Sequence, residues 1–130
     1  GQEQGDKDGN IRTAEHLFMK GADIFIFTLD VVPKMLHSLL DKNSLSIDDI
    51  DWFIFHQANQ FMLDHLVEKL RLAPEKVPIV MKEFGNTVSS SIPIVLCETK
   101  QQFQTGDILV LLGFGVGYSW GGCLLRWIGT

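Results

Sequence analysis

The chain has 130 residues, 45% of them apolar and 21% charged, with a formal net charge of −5. A chain of that length suits one domain and hides about two-thirds of the surface it exposes when unfolded, so it can build a real core. This composition excludes disorder, the acidic balance argues against nucleic acid as a main partner, and the longest apolar stretch, interrupted by Asp30, falls short of the roughly 20 residues that span a bilayer.

In chain order, residues 1–10 carry Gly, Gln, Asp and Lys with no apolar side chain and are expected to form a loop or frayed arm, part of an N-terminal stretch covering residues 1–18. The folded domain is expected over residues 19–130. Phe25, Leu29, Val32, Leu36 and Leu39 or Leu40 recur at helical spacing and predict a long amphipathic helix over 21–42, kinked by Pro33. Residues 51–55 form a nearly continuous apolar run, the pattern of a strand buried on both faces, which puts His56 at its carboxyl end. Met62, Leu63, Leu66, Val67 and Leu70 predict a second helix, with Asn59 as its N-cap and Lys69 and Arg71 near its C-terminus. Residues 77–81 read as another strand, and 82–87 as the loop behind it. A third helix follows, capped by Ser90 or Ser91, with Pro93 in its first turn and Gly106 as its stop. Strands over 108–112 and 118–128 close the chain, joined by a glycine-rich turn at 113–117. The expected fold is therefore a layered α/β unit, a mixed sheet with helices packed on it and loops gathered at the strand ends. No tandem repeat or interdomain linker interrupts it.

Cys97 and Cys123 lie inside apolar runs and are expected to be small, buried, free thiols in a reducing compartment. Neither has the helix N-terminus or nearby cation that activates a thiolate. Ser89, Ser90 and Ser91 lack a Gly-x-Ser-x-Gly elbow, and the four histidines lack close ligand spacing, so neither a serine hydrolase nor a metal site is expected. No leader or membrane anchor is legible, and the expected location is the cytoplasm. His56 alone reads as a structural imidazole and Asn86 beside Gly85 as a turn residue. Together they offer two uncharged N–H donors at the ends of two neighbouring strands, a pair able to hold one carbonyl oxygen as it gains charge.

Three ordered blocks carry a resemblance: Trp52-Phe53-Ile54-Phe55-His56-Gln57-Ala58-Asn59, Phe84-Gly85-Asn86-Thr87-Val88-Ser89-Ser90-Ser91-Ile92-Pro93, and Gly113-Phe114-Gly115-Val116-Gly117-Tyr118-Ser119-Trp120-Gly121. They resemble the C-terminal half of the type III β-ketoacyl-acyl-carrier-protein synthases, members of the thiolase-like superfamily. The resemblance implies a thiolase-like half-fold and decarboxylative Claisen condensation of a malonyl thioester with an acyl thioester, in fatty-acid-type biosynthesis. It implies that His56 and Asn86 are the catalytic pair, the nucleophilic cysteine of the family's triad belonging to an N-terminal half. It further implies that the backbone of Gly115, Val116 and Gly117 completes an oxyanion hole, that Gly21, Ala58 and Asn59 line the pantetheine arm, and that Phe25 walls the tunnel. Coenzyme A or acyl-carrier-protein thioesters are then substrates, with no separate cofactor and no metal. The implied partners are the carrier protein or coenzyme A thioester, the missing half and a second copy of the protein.

Two positions depart from the family. Phe61 stands where many members place an arginine that docks the carrier, and Ala22 where some have a polar pantetheine contact. Both suggest a specialised branch. Two other readings compete: a non-decarboxylating acyltransferase of the same fold, and an interaction domain that has lost the chemistry. A lone half is expected to expose a large apolar surface and to self-associate.

Overall fold

The computed structural model describes residues 4–5, 11–12, 21–57, 59–81, 91–115 and 119–129. Two short strands, β1 (Gln4–Gly5) and β2 (Ile11–Arg12), pair antiparallel where a bare arm was expected. Composition did not reveal them, because backbone pairing needs no apolar side chain. Helix α1 (Gly21–Lys42) then runs as one element through Pro33. It buries Val32, Leu36 and Leu40, one residue per turn on a single stripe.

Strand β3 (Trp52–Phe55) leads into α2 (Gln60–Leu70), later followed by α3 (Ser91–Thr99), β4 (Ile108–Gly115) and β5 (Ser119–Arg126). The last three strands named make one mixed sheet in the order β3-β4-β5. Its first pair is parallel, from Trp52 opposite Leu109 to Phe55 opposite Leu112, and its second antiparallel, from Ile108 opposite Arg126 to Gly115 opposite Ser119. This is the layered mixed α/β unit that the sequence predicts.

Side-chain alternation divides the core between the two faces of this sheet. Phe53, Phe55, Val110, Leu112 and Phe114 point to one face, where α1 and α2 supply Val32, Leu36, Met62, Leu63 and Leu66. Ile54 and Leu109 point to the other, against Val95 of α3 and Phe103, with Trp52 and Trp127 at its margin. The near-continuous apolar run of β3 is thus explained by burial from both sides. The lower ends of β3 and β4 are clamped by carboxylates: Asp51 accepts from the Ile108 N–H at 2.8 Å, and Asp107 accepts from the Trp52 indole at 3.0 Å. The Asp51 N–H donates in turn to the Ile108 carbonyl at 2.9 Å.

Residues 77–81 are not a strand. A short 3₁₀ turn (Pro74–Lys76) precedes them, and residues 77–80 are irregular. Pro78 has no N–H to give a ladder. The Val80 N–H instead donates to the Gln57 side chain. β4 is longer than expected and absorbs Gly113, Phe114 and Gly115.

β5 is the edge of the sheet among the described residues, and α3 does not cover it. On the face away from α1, Gly121, Cys123 and Leu125 are exposed, Leu125 at 45%, while Trp120 alternates to the α1 face, where its ring meets that of Phe27. Cys97 on α3 is exposed as well. Both cysteines are free, as expected, but neither is buried. The apolar neighbours of Cys97 on α3, Val95 and Leu96, turn at least partly toward the core while Cys97 itself faces out.

Candidate active site

His56 is the first residue past β3, and its backbone N–H continues the parallel ladder by donating to the Leu112 carbonyl at 2.9 Å. Its ring meets that of Phe114 edge-on, at 5.4 Å between centroids and 89°. The imidazole is half-buried, and the loss of hydration holds its pKa below the ordinary 6.5. It is therefore neutral at physiological pH, with one ring N–H to donate. No acid side chain is needed to explain the shift, and no carboxylate bonds the ring among the described residues.

The turn after His56 is fixed by Gln57, which is 1% exposed. Its backbone N–H donates to the Ser91 hydroxyl at 2.6 Å, its side-chain amide donates to the Phe55 carbonyl at 2.9 Å, and its side-chain oxygen accepts from the Val80 N–H at 3.1 Å. A buried carboxamide with both ends satisfied is rigid. Sequence reasoning passed over it. The signal was an amide inside an otherwise apolar strand end, and Ser91 was read only as a helix cap.

Asn59 caps α2 as expected: its side-chain oxygen accepts from the Met62 N–H at 2.7 Å. The cap uses only the oxygen, so the amide nitrogen of this exposed residue is the end a ligand could meet. Gly21 opens α1, one turn before Phe25. Phe25 stacks on Phe61 of α2 at 5.4 Å and 26° and touches His65 edge-on. His65 lies 4.2 Å from Phe61 and shares a hydrogen bond with the Phe61 carbonyl at 2.9 Å. Phe61, 63% exposed, and Ile26, 65% exposed, leave this corner apolar toward solvent.

Gly115 ends β4, level with Ser119. Asn86, Ala58, Val116 and Gly117 lie outside the described residues. Two open grooves occur among the described residues. One of about 420 Å³ lies by Trp52, Val77, Val80 and Glu98, and one of about 500 Å³ between α1 and β5 by Asp30, Lys34 and Trp120. Neither includes His56. No group of three or more potential metal ligands occurs among the described residues.

A mixed sheet with helices on both faces and a histidine just past the end of a parallel strand makes a layered α/β unit of thiolase-like class. Residues 40–127 match the family described as 3-oxoacyl-[acyl-carrier-protein (ACP)] synthase III C terminal, and the chain belongs to that family. A beta-ketoacyl-[acyl-carrier-protein] synthase III from Microcystis aeruginosa is 40% identical over 117 residues, covering 88% of this chain and 35% of the relative. A crystal structure of 3-oxoacyl-(acyl-carrier-protein) synthase III superposes with a TM-score of 0.91 at 44% identity, covering 97% of this chain and 38% of that one. The 3-oxoacyl-(acyl-carrier protein) synthase of Burkholderia xenovorans superposes with a TM-score of 0.82 at 45% identity, covering 91% and 34%. The chain thus spans about a third of the length of the relatives it matches. Among the described residues no helix is long and apolar enough to cross a membrane.

Proposed function

We propose that this chain supplies the decarboxylating portion of a β-ketoacyl-acyl-carrier-protein synthase III, with its nucleophilic cysteine provided by an N-terminal half. The observation that carries this reading is the placement of the His56 imidazole, half-buried just past the carboxyl end of a parallel strand and edge-on to Phe114. In the proposed reaction His56 and Asn86 each donate an N–H to the thioester carbonyl oxygen of a malonyl group. The bond to the carboxylate carbon breaks, carbon dioxide leaves, and the electron pair passes to the held oxygen as an enolate. The resulting carbon nucleophile attacks an acyl group carried on the cysteine of the other half and expels its thiolate. The backbone of residues 115–117, with that of the cysteine, would hold the second oxyanion.

A neutral donor suits this task better than a cation, because a charged imidazolium would also bind the malonyl carboxylate that must depart. The sequence is redox-neutral and calls for no cofactor beyond the thioester substrates, carried on coenzyme A or an acyl carrier. The pantetheine arm would run past Gly21, Ala58 and Asn59, with Phe25 at the tunnel wall. The uncovered face of β5 supports the expected docking of the N-terminal half. Homo-oligomerisation and a cytoplasmic location belong to the same reading.

The test is to pair the chain with an N-terminal half and follow carbon dioxide release from malonyl thioester alongside condensation. His56→Ala and Asn86→Ala are each expected to slow decarboxylation about a hundredfold to a thousandfold, the usual effect of removing one preorganised donor. Full activity in both variants would sink the assigned roles. Acyl transfer without carbon dioxide release would point to the non-decarboxylating relative.

A further inference from the structure

We infer that Gln57, acting with Ser91, is the positioning residue of the site: its buried side-chain amide holds the Phe55 carbonyl and the Val80 N–H, its backbone N–H is held by the Ser91 hydroxyl, and together these bonds fix the residue that follows His56 to chain on either side of Asn86 in the sequence. The inference rests on the roles proposed for that pair. Its geometric basis stands independently of them. Gln57 directly follows His56, and its three hydrogen bonds go to three separate pieces of chain: Phe55 at the end of β3, Val80, and Ser91 at the start of α3. In sequence, Asn86 falls between Val80 and Ser91. Described chain on either side of Asn86 in the sequence, at Val80 and at Ser91, is therefore bonded to the residue next to His56.

The chemistry explains why this residue is a glutamine. The Phe55 carbonyl requires a donor and the Val80 N–H requires an acceptor, and both are reached from one 1%-exposed side chain. A carboxylate in its place would face the Phe55 carbonyl with like partial charge. An apolar side chain of similar volume would leave both backbone groups unpaired in the core. The Ser91 hydroxyl is likewise spent on the Gln57 N–H, so this serine holds the turn after His56 rather than serving only the helix it opens.

The test uses the chain paired with its N-terminal half and reads malonyl decarboxylation. Gln57→Met and Ser91→Ala are expected to lower kcat about ten- to a hundredfold while KM changes less than about twofold, since displacing a catalytic group by about 1 Å costs up to a hundredfold. Ser91→Thr, which keeps the hydroxyl, should retain most of the rate. Leu70→Ala, at the far end of α2, serves as a stability control and should keep kcat per folded molecule. In the chain itself, amide hydrogen exchange at Val80 should quicken in Gln57→Met. A Gln57→Met enzyme with the parent kcat, or an equal loss of kcat in Leu70→Ala, overturns the inference. If His56→Ala is slow while Gln57→Met is fast, only the positioning role falls. If His56→Ala is also fast, the catalytic reading falls and takes the positioning role with it.

Discussion

The two faces of the sheet are built to different standards. On the face of α1 and α2, Phe53, Phe55, Val110, Leu112 and Phe114 are all closed, and even the edge strand is pressed so tightly that Gly122 has no room for a side chain. A Cβ there would lie 2.9 Å from a Leu112 methyl, 3.3 Å from the Leu111 carbonyl and 3.5 Å from the Met35 sulfur. On the other face α3 covers β3 and stops short of β5, where a Cβ on Gly121 would meet nothing within 4 Å. Adjacent glycines in one strand thus report opposite surroundings. The closed face holds most of the buried side chains of the sheet, and the open face leaves Gly121, Cys123 and Leu125 exposed.

Phe55 and Leu125 offer the widest contrast. Phe55→Ala is expected to cost about 3–5 kcal/mol, the usual range for truncating a buried aromatic, whereas Leu125→Ala on the open face should cost well under about 1 kcal/mol. Urea midpoints of the two variants check this, and comparable losses would mean that the open face is covered, for instance by self-association. The glycine pair is the next step down. Gly122→Ala should destabilise by about 1–3 kcal/mol through overpacking, and Gly121→Ala should be neutral or slightly stabilising. Equal effects would refute the difference between the faces.

A smaller effect comes from His56, which stands on the closed face's side of the site beside Phe114. Its folded pKa is depressed below 6.5 by burial. The unfolded chain therefore binds the proton at a higher pH than the folded one, so the group's contribution to stability is full above pH 6.5 and is lost as pH falls through the folded value. Between pH 7.5 and 5, wild type should lose more stability than His56→Gln. Parallel pH dependences of the two would remove desolvation as the cause.

Much of this was legible in the sequence. The helices α1 and α2, the doubly buried β3, the closing hairpin and the Asn59 cap all follow from periodicity and from side chains whose local chemistry admits few alternatives. The segment at 77–81 was misread because Val77, Ile79 and Val80 imitate a strand. Their apolar character answers a need for burial, and Pro78 with the Gln57 bond determines the backbone. The cysteines were misplaced for a related reason: an apolar run in the sequence does not by itself say which of its residues face the core, and both thiols lie on exposed positions. Gln57 was invisible because its role depends on two backbone groups, at Val80 and Phe55, that sequence spacing does not bring into view. The motif residues His56 and Asn86 stood out by resemblance, but the means of holding them did not.

The carboxylate clamp at the lower ends of β3 and β4 has a consequence for the site at the opposite end. Asp51 and Asp107 bind the Ile108 N–H and the Trp52 indole across the start of the parallel pair, and so count out the register from below. A slip of one residue would move His56 by about 3.3 Å along Leu112 and turn every side chain of β3 to the opposite face. The height and direction of the imidazole are therefore set by two aspartates at the foot of the strand, which never approach the reacting groups.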